Sequence, residues 1–148
     1  MAAFDLGATF GWATNLANHS LEPGWGHSTL PGIRAHRLGA FATWMRANAR
    51  WLRELDVVVY ETPFARGRDA TRSLWGMAGV LEACATEFDL AVVDVAVATI
   101  KKFATGSGRA PKNSMIEAAR RLGYRGEDEH EADAYCLLKY AEENLERG

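Results

Sequence analysis

The sequence predicts an α/β fold, with a mixed five-stranded sheet and helices on both of its faces. Two observations predict it. Short valine-rich runs of strand length alternate with longer stretches of helical periodicity, and three strand-like segments precede the first helix. Strands joined by short turns form an antiparallel meander, whereas strands that follow helices need crossovers and run parallel to a neighbour. We therefore expect three antiparallel strands and then two parallel strands.

The first third of the chain contains the meander and the first helix. Short apolar segments bounded by turn residues predict three strands, at residues 2–6, 10–16 and 24–30. Turn residues separate these strands, at Gly7, Asn18, Pro23 and Gly24. Residues 34–54 then place Leu38, Phe41 and Met45 on one stripe, which predicts a single long helix.

The remaining elements alternate between strand and helix. A Val-Val-Val-Tyr run predicts a buried strand over residues 57–60, and a second buried strand is expected over residues 90–95. Helical periodicity predicts three further helices, at residues 69–88, 111–122 and 130–146. Asp69 is a candidate N-cap, and Pro111 suits the start of a helix.

Length and composition indicate an ordinary soluble protein. The 148 residues are 48% hydrophobic and 24% charged, so we expect one domain over residues 1–148 with a sizeable core. Cys84 and Cys136 are too few for a disulfide framework and are expected to be buried free thiols. The N-terminus lacks a basic leader and no apolar run approaches the roughly 18 residues of a membrane span, which predicts a cytoplasmic protein.

Three acidic residues lie where an α/β sheet forms its sites. Asp5 falls in the first strand, Glu61 directly follows the valine-rich strand, and Asp133 opens the last predicted helix. Sites in open α/β sheets form outside the carboxyl ends of strands, and a carboxylate buried there needs a partner or a metal ion. The alternative for Glu61 is a solvated position just past the strand.

A histidine adds to this acidic set. His130 and Asp133 are three residues apart and share one face of the last helix. With Asp5 and Glu61 they could ligate Mg²⁺ or Mn²⁺, and two such ions would clamp a phosphodiester for hydrolysis. Either helix residue could instead be exposed and merely favour the helix dipole. Four further acidic residues crowd the same helix start and leave the choice open by spacing alone: Glu127, Asp128, Glu129 and Glu131.

Residues 99–112 combine glycines with cations. Gly106 and Gly108 permit close approach of the backbone to a phosphate, and Arg109 and Lys112 lie beside a predicted helix start, which favours anions. The glycine spacing does not fit a P-loop. Taken by itself, this pattern is a weak signal for phosphate binding.

Four segments, taken in order, resemble the RuvC family of Holliday-junction resolvases, which have a ribonuclease H-like fold: residues 4–7, 59–64, 100–112 and 130–134. The lysine–glycine segment is the most specific of these motifs. The resemblance implies a structure-selective endonuclease that resolves Holliday junctions or other branched DNA by metal-dependent hydrolysis. It also implies a homodimer in which each subunit makes one of two paired nicks. The compact length fits a cellular or a phage-type member.

The resemblance assigns roles to individual residues. Asp5, Glu61 and Asp133 match the catalytic carboxylates, and His130 stands where many relatives carry another aspartate and some carry histidine. These four residues would hold two ions per active site, Mg²⁺ or Mn²⁺, while Lys112 would neutralise charge on the attacked phosphate. Motif and charge together indicate the residues that contact DNA: Phe64, Arg66, Lys101, Lys102, Arg109 and Lys112.

The formal net charge of −2 conceals two opposite blocks. Residues 101–125 carry a net charge of +6 and residues 127–148 a net charge of −6, while the loop after Glu61 adds three arginines. Cationic blocks on either side of the proposed carboxylates suit contact with a phosphate backbone around an acidic metal site.

Other interpretations stay open at this point. Residues 5–9, Asp-Leu-Gly-Ala-Thr, also fit the phosphate loop of actin-like and sugar-kinase-like ATPases, although those folds need two such domains. A non-catalytic module of the same fold that binds branched DNA is a further alternative, but like charges pressed together argue against it. No organic cofactor is expected. Gly76 and Gly79, in the middle of a predicted helix, would admit another backbone from the same chain or from a second subunit.

Overall fold

A five-stranded mixed sheet forms the centre of the structure, a computed structural model that describes residues 1–17, 21–64 and 66–145. The strands are β1 (Ala2–Asp5), β2 (Thr9–Thr14), β3 (Trp25–Thr29), β4 (Val57–Glu61) and β5 (Ala91–Val95). They lie in the order β3-β2-β1-β4-β5. β2 pairs antiparallel with both β1 and β3, and β4 pairs parallel with both β1 and β5. The predicted three antiparallel and two parallel strands are confirmed.

Helices connect or follow the strands in the described part of the chain. They are α1 (Arg34–Ala47), α2 (Ala49–Leu52), α3 (Arg68–Glu87), α4 (Val97–Thr105), α5 (Asn113–Arg121) and α6 (Glu129–Leu145). α1 and α2 lead from β3 to β4, and α3 is the crossover that the parallel pair β4 and β5 requires. None of these helices is long and apolar enough to cross a bilayer.

Two apolar cores lie on opposite faces of the sheet. One contains Phe4 of β1 together with Phe41 of α1 and Leu81 of α3. The other contains Ala3 of β1 and Leu137 of α6, with further residues from α4 and α5. Neighbouring residues of a strand enter different cores because strand side chains alternate between the two faces. The prediction of helices on both faces is therefore confirmed.

The single helix predicted over residues 34–54 is wrong, because the helix breaks at Asn48. The Asn48 side-chain amide donates to the Trp44 carbonyl at 2.8 Å, and its Oδ1 accepts from Trp51 Nε1 at 2.9 Å. Such local bonds offer the backbone an alternative to helical continuation. The predicted apolar stripe survives the break, since both Phe41 and Met45 are buried.

Other helix boundaries also differ from the prediction. No helix was predicted over residues 97–105, where the structure has α4. The helix predicted over 69–88 begins one residue earlier, so Asp69 lies in its first turn and makes no cap hydrogen bond. α6 begins at Glu129, so Asp133 lies one turn inside the helix rather than at its start.

Further expectations concern single residues. Cys84 and Cys136 are buried and free, as expected. A Cβ on Gly76 would lie 2.9 Å from Leu38 Cδ1 of α1, whereas a Cβ on Gly79 would meet nothing within 4 Å, so only Gly76 admits an element of the same chain. The turn at Asn18 and the end of the last predicted helix at residue 146 lie outside the described residues.

Candidate active site

Two parallel strands bring Asp5 and Glu61 side by side. β1 and β4 pair with Phe4 opposite Tyr60, so the next residue of each strand, Asp5 or Glu61, ends its strand beside the other. The residue two positions before each acid is buried in the core beneath α6. Because side chains alternate along a strand, both carboxylates point to the α6 face of the sheet.

The start of α6 crosses the sheet directly over β2, next to these carboxylates. Gly11 of β2, which pairs with Asp5, permits this approach, because a Cβ at Gly11 would collide with the backbone carbonyl of His130. His130 Nδ1 consequently lies 2.9 Å from Asp5 Oδ2 in a hydrogen bond. Asp133 follows three residues later and lines the same pocket.

A pocket of about 480 Å³ lies at the carboxyl ends of β1 and β4. It is lined by the four predicted metal ligands, Asp5, Glu61, His130 and Asp133. Two cations, Lys101 of α4 and Lys112 just before α5, line the pocket with them. The loop between β1 and β2, residues 6–9, completes the lining. All five residues that were predicted to be catalytic therefore lie around one cavity.

Burial and mutual repulsion raise the pKa values of the three carboxyl groups in the pocket. Burial, followed by the charges of Asp5 and Asp133, raises the pKa of Glu61 to about 8. Burial and the charge of Asp5 raise the pKa of Asp133 to about 7, although Lys112 and His130 oppose this change. Burial also raises the pKa of Asp5, against the opposing effect of its hydrogen bond to His130. Three acidic groups with raised pKa values in one cleft mark a candidate site for catalysis or metal binding.

The pocket contains a cation whose position is fixed by an acidic residue. Lys112 Nζ lies 3.3 Å from Glu129 Oε1, and the same oxygen lies 3.7 Å from His130 Nε2. Burial alone would lower the pKa of Lys112, but the hydrogen bond and charge of Glu129, with the charges of Asp133 and Asp5, raise it overall. Lys112 is therefore a permanent positive charge beside the carboxylates.

The donor set suits a hard divalent cation. Carboxylate oxygens with one imidazole are the ligands that Mg²⁺ and Mn²⁺ accept in proteins. Without such an ion, the burial of Asp5, Glu61 and Asp133 together is electrostatically costly, and this cost is what their raised pKa values express. An ion would convert the repulsion among these groups into shared ligation. The residues present therefore fit a divalent metal site.

A second group of possible ligands lies beside the pocket and has a structural explanation. His27 Nδ1, Asp128 and Glu131 place their ligand atoms within 4.8 Å of one another. Asp128 Oδ1 accepts the backbone amides of His130 and Glu131, and Glu131 Oε2 accepts the Tyr124 hydroxyl at 2.6 Å. His27 lies 2.8 Å from Glu131 Oε1, so this group anchors β3 to the start of α6.

The residues predicted to contact DNA are spread around the pocket. Phe64, in the segment after β4, is 79% exposed, and Arg66 is exposed nearby. Arg109 is exposed beyond α4, and Lys102 points away from the carboxylates into a separate groove on α4. Only Lys101 and Lys112 among the predicted DNA contacts line the pocket itself.

Sequence reasoning missed two residues that shape the site. The close approach of α6 depends on Gly11, and no motif in the sequence marks that position. Glu129 orients Lys112, yet the only sequence signal for it was the crowding of acidic residues at the helix start. Gly106 also has a structural role that was not predicted. Its φ of +85° ends α4, where its amide donates to the Lys102 carbonyl at 2.8 Å.

The sheet order and the helices on both faces define a ribonuclease H-like fold. No protein-family model matches the chain, and no curated protein sequence is significantly similar to it.

Two solved structures of RuvC share this fold. The structure of Thermus thermophilus RuvC matches with a TM-score of 0.75 and 16% identity, over 100% of this chain and 97% of that one. T. thermophilus RuvC in complex with a Holliday junction substrate matches with a TM-score of 0.73 and 18% identity, over 93% of this chain and 90% of that one. The chain therefore has the RuvC fold.

Proposed function

We propose that the protein is a metal-dependent endonuclease that resolves Holliday junctions or other branched DNA. The observation that carries the proposal is the convergence of Asp5, Glu61, His130 and Asp133 in one pocket with a cation beside them. The RuvC fold over nearly the whole chain supports it, and a neighbour of the same fold is in complex with a Holliday junction. The proposed setting is the cytoplasm of a bacterial cell or of a phage-infected host.

Asp5, Glu61, His130 and Asp133 would hold the ions, proposed as two Mg²⁺ or Mn²⁺ per site. When bound, these ions supply an activated water and stabilise the charge that develops on the leaving oxygen. The chain itself orients the ligands. The Asp5–His130 hydrogen bond orients the carboxylate and the imidazole towards each other. The register of β1 and β4 places Glu61 beside Asp5.

The cations around the pocket would bind the substrate. Lys112 keeps its proton because its pKa is raised, so it can donate hydrogen bonds to the attacked phosphate and neutralise charge there. Lys101 lines the same pocket and would contact the backbone of the cleaved strand. Phe64 is exposed after β4 and is suited to stacking on a base near the branch point.

Replacement of one carboxylate tests this function. Asp5→Asn keeps the size of the side chain but removes its charge, so cleavage should be lost while binding to a four-way junction is retained. The matched control is Asp56→Asn, which changes an exposed carboxylate just before β4, at the opposite edge of the sheet. It should cleave like the wild type.

The substrate panel contains a four-way junction, a flap, a linear duplex and an RNA–DNA hybrid, each with Mg²⁺ and with Mn²⁺. Paired symmetric nicks confined to the junction support a resolvase, and cleavage of flaps as well supports a general debranching enzyme. Wild-type rates in folded Asp5→Asn would refute the site. Junction binding by the wild type with no nicking under either metal would indicate a binding module, and ATP hydrolysis without DNA would indicate the phosphate-loop alternative.

A homodimer is proposed as the functional unit. α3 offers a surface for a second copy, where Trp75 is 50% exposed and Gly79 is open to solvent. A large aromatic residue four positions from an open glycine can pack into the corresponding gap of a second, antiparallel α3. Sedimentation should therefore show a dimer for the wild type and a monomer for Trp75→Glu. A wild-type protein that stays monomeric at micromolar concentration would exclude paired nicks by a stable dimer.

A further inference from the structure

A second groove lies between the starts of α1 and α3 and takes no part in the site described above. Its volume is about 560 Å³, and its walls include Ile33, Arg34 and Arg37 on one side and Asp69 and Leu74 on the other. Ile33 is 70% exposed there, beside two arginines. We call it the arm groove.

The topology places the arm groove at the same edge of the sheet as the active site. β3 ends at Thr29, which pairs with Thr9 at the rim of the carboxylate pocket, and α1 begins five residues later. β4 ends at Glu61, and α3 begins after a short segment that contains Phe64. Both helix starts therefore follow strands whose carboxyl ends lie at the edge of the sheet that holds the pocket, and seven residues of sequence separate Glu61 of the pocket from Asp69 of the groove.

Among the described residues, arginines outnumber acidic residues in and beside the arm groove. Neither Arg34 nor Arg37 forms an ion pair there, and Arg37 Nε is buried with no hydrogen-bond acceptor. Two more exposed arginines, Arg68 and Arg72, lie on the first turns of α3, against the single acidic residue Asp69. The N-terminal ends of α1 and α3 add further positive potential to the groove, since the free backbone amides of a helix start favour anions.

We propose that the arm groove binds the phosphodiester backbone of a DNA arm that leaves the active site. The inference rests on the proposed function, because it extends the contact surface for the same substrate. Unpaired guanidinium groups are suited to phosphate oxygens, and Ile33 and Leu74 would lie against the sugar edge of the strand. The position of the groove at the same edge of the sheet as the carboxylates favours DNA over an acidic peptide, since an arm of a DNA bound at the carboxylates would reach the groove across that edge.

The salt dependence of binding tests this inference. Arg34→Gln and Arg37→Gln, singly and together, are made in the Asp5→Asn background, and junction affinity is measured without divalent ions between 50 and 200 mM salt. Each lost phosphate contact should reduce the magnitude of the slope of log K against log salt by about 0.9. The loss of affinity between 50 and 200 mM salt should therefore be about threefold smaller in the variant than in Asp5→Asn alone for each contact removed. The matched control is Arg50→Gln, an exposed arginine on α2, which precedes β4 and lies at the opposite edge of the sheet.

The outcomes separate this inference from the proposed function. A lower slope for the Arg34 and Arg37 variants, with the Arg50 variant unchanged and melting temperatures preserved, supports the arm groove. Slopes equal to that of Asp5→Asn alone overturn it, as does loss of self-association with no change in slope, which would make the groove an interface between copies. If Arg37→Gln fails to fold, the salt slope of Arg34→Gln alone, compared with that of Asp5→Asn, tests the inference. If Asp5→Asn binds no branched DNA at all, the proposed function fails and the inference fails with it.

Discussion

Replacing Glu61 with glutamine should stabilise the protein in the absence of metal, even though it removes a proposed ligand. The pKa of Glu61 rises from 4.5 in an unstructured chain to about 8 in the fold, chiefly through burial and then through repulsion by Asp5 and Asp133. The folded state therefore binds more protons than the unfolded chain between these two pH values. The stability that protonated Glu61 contributes is complete below pH 4.5 and is lost as the pH rises through 8.

The magnitude follows from the same shift. A pKa that moves from 4.5 to about 8 corresponds to at most about 5 kcal/mol between the protonation states. Water that enters the open pocket screens part of this energy, so we expect the substitution to add about 1–2 kcal/mol to the free energy of unfolding. In a domain of this size, that raises the melting temperature of Glu61→Gln by roughly 3–8 °C at pH 9.

Thermal unfolding in a chelating buffer at pH 5 and at pH 9 measures the effect. Glu61→Gln should lie close to the wild type at pH 5, because only the first half unit of the interval between pH 4.5 and 8 has then been crossed, and it should exceed the wild type at pH 9. The control Glu127→Gln removes an exposed carboxylate before α6 and should show no such pH dependence. Added Mn²⁺ should reverse the order at pH 9, because it stabilises the protein that keeps all its ligands. Equal melting temperatures at pH 9, or the same difference at both pH values, would refute the reasoning.

Two further predictions concern the residues that shape the pocket. Glu129→Gln should lower the rate of single-turnover cleavage of a junction several-fold, because Lys112 loses its orienting partner. Binding of the junction should not weaken, because the substitution removes a negative charge. In a Lys112→Ala background, Glu129→Gln should have no further effect on the rate. Gly11→Ala should cost more than 2 kcal/mol in urea unfolding, because its Cβ collides with the His130 carbonyl. The control Gly39→Ala meets nothing within 4 Å in α1 and should gain up to about 1 kcal/mol. Equal effects of the two substitutions would contradict the close approach of α6.

Much of this architecture could be predicted because its signals are local. The valine run of β4 and the turn residues around β2 are short-range patterns, and they correctly gave the mixed sheet. Asp5 and Glu61 could be proposed for one site because one lies in a strand and the other directly follows one, whereas the pairing of β1 with β4 that places them side by side was seen only in the structure. The break at Asn48 could not be predicted, since the apolar stripe of α1 continues through it and the competing bonds depend on the positions of Trp44 and Trp51.

The parts of the site that could not be predicted depend on contacts between distant segments. Gly11 looks like an ordinary strand residue until the start of α6, more than a hundred residues later, is laid over it. Likewise, Glu129 could not be distinguished from the neighbouring acids by spacing, because its role depends on where the end of the α4–α5 segment places Lys112. A sequence pattern identifies candidate ligands, whereas the glycine that admits the helix becomes visible only in three dimensions.

The distribution of charge explains how an overall acidic chain could accept DNA. At neutral pH in the metal-free protein, the raised pKa values of Glu61 and Asp133, about 8 and about 7, keep much of the pocket uncharged, so an approaching phosphate meets less repulsion than the residue types suggest. Lys101 and Lys112 line the same cavity, and Lys112 retains its proton. Ion binding would release those protons and replace them with positive charge. The net charge of −2 therefore says little about this edge of the sheet, where the charge of Glu61 and part of that of Asp133 is suppressed and the charge of Lys112 is not.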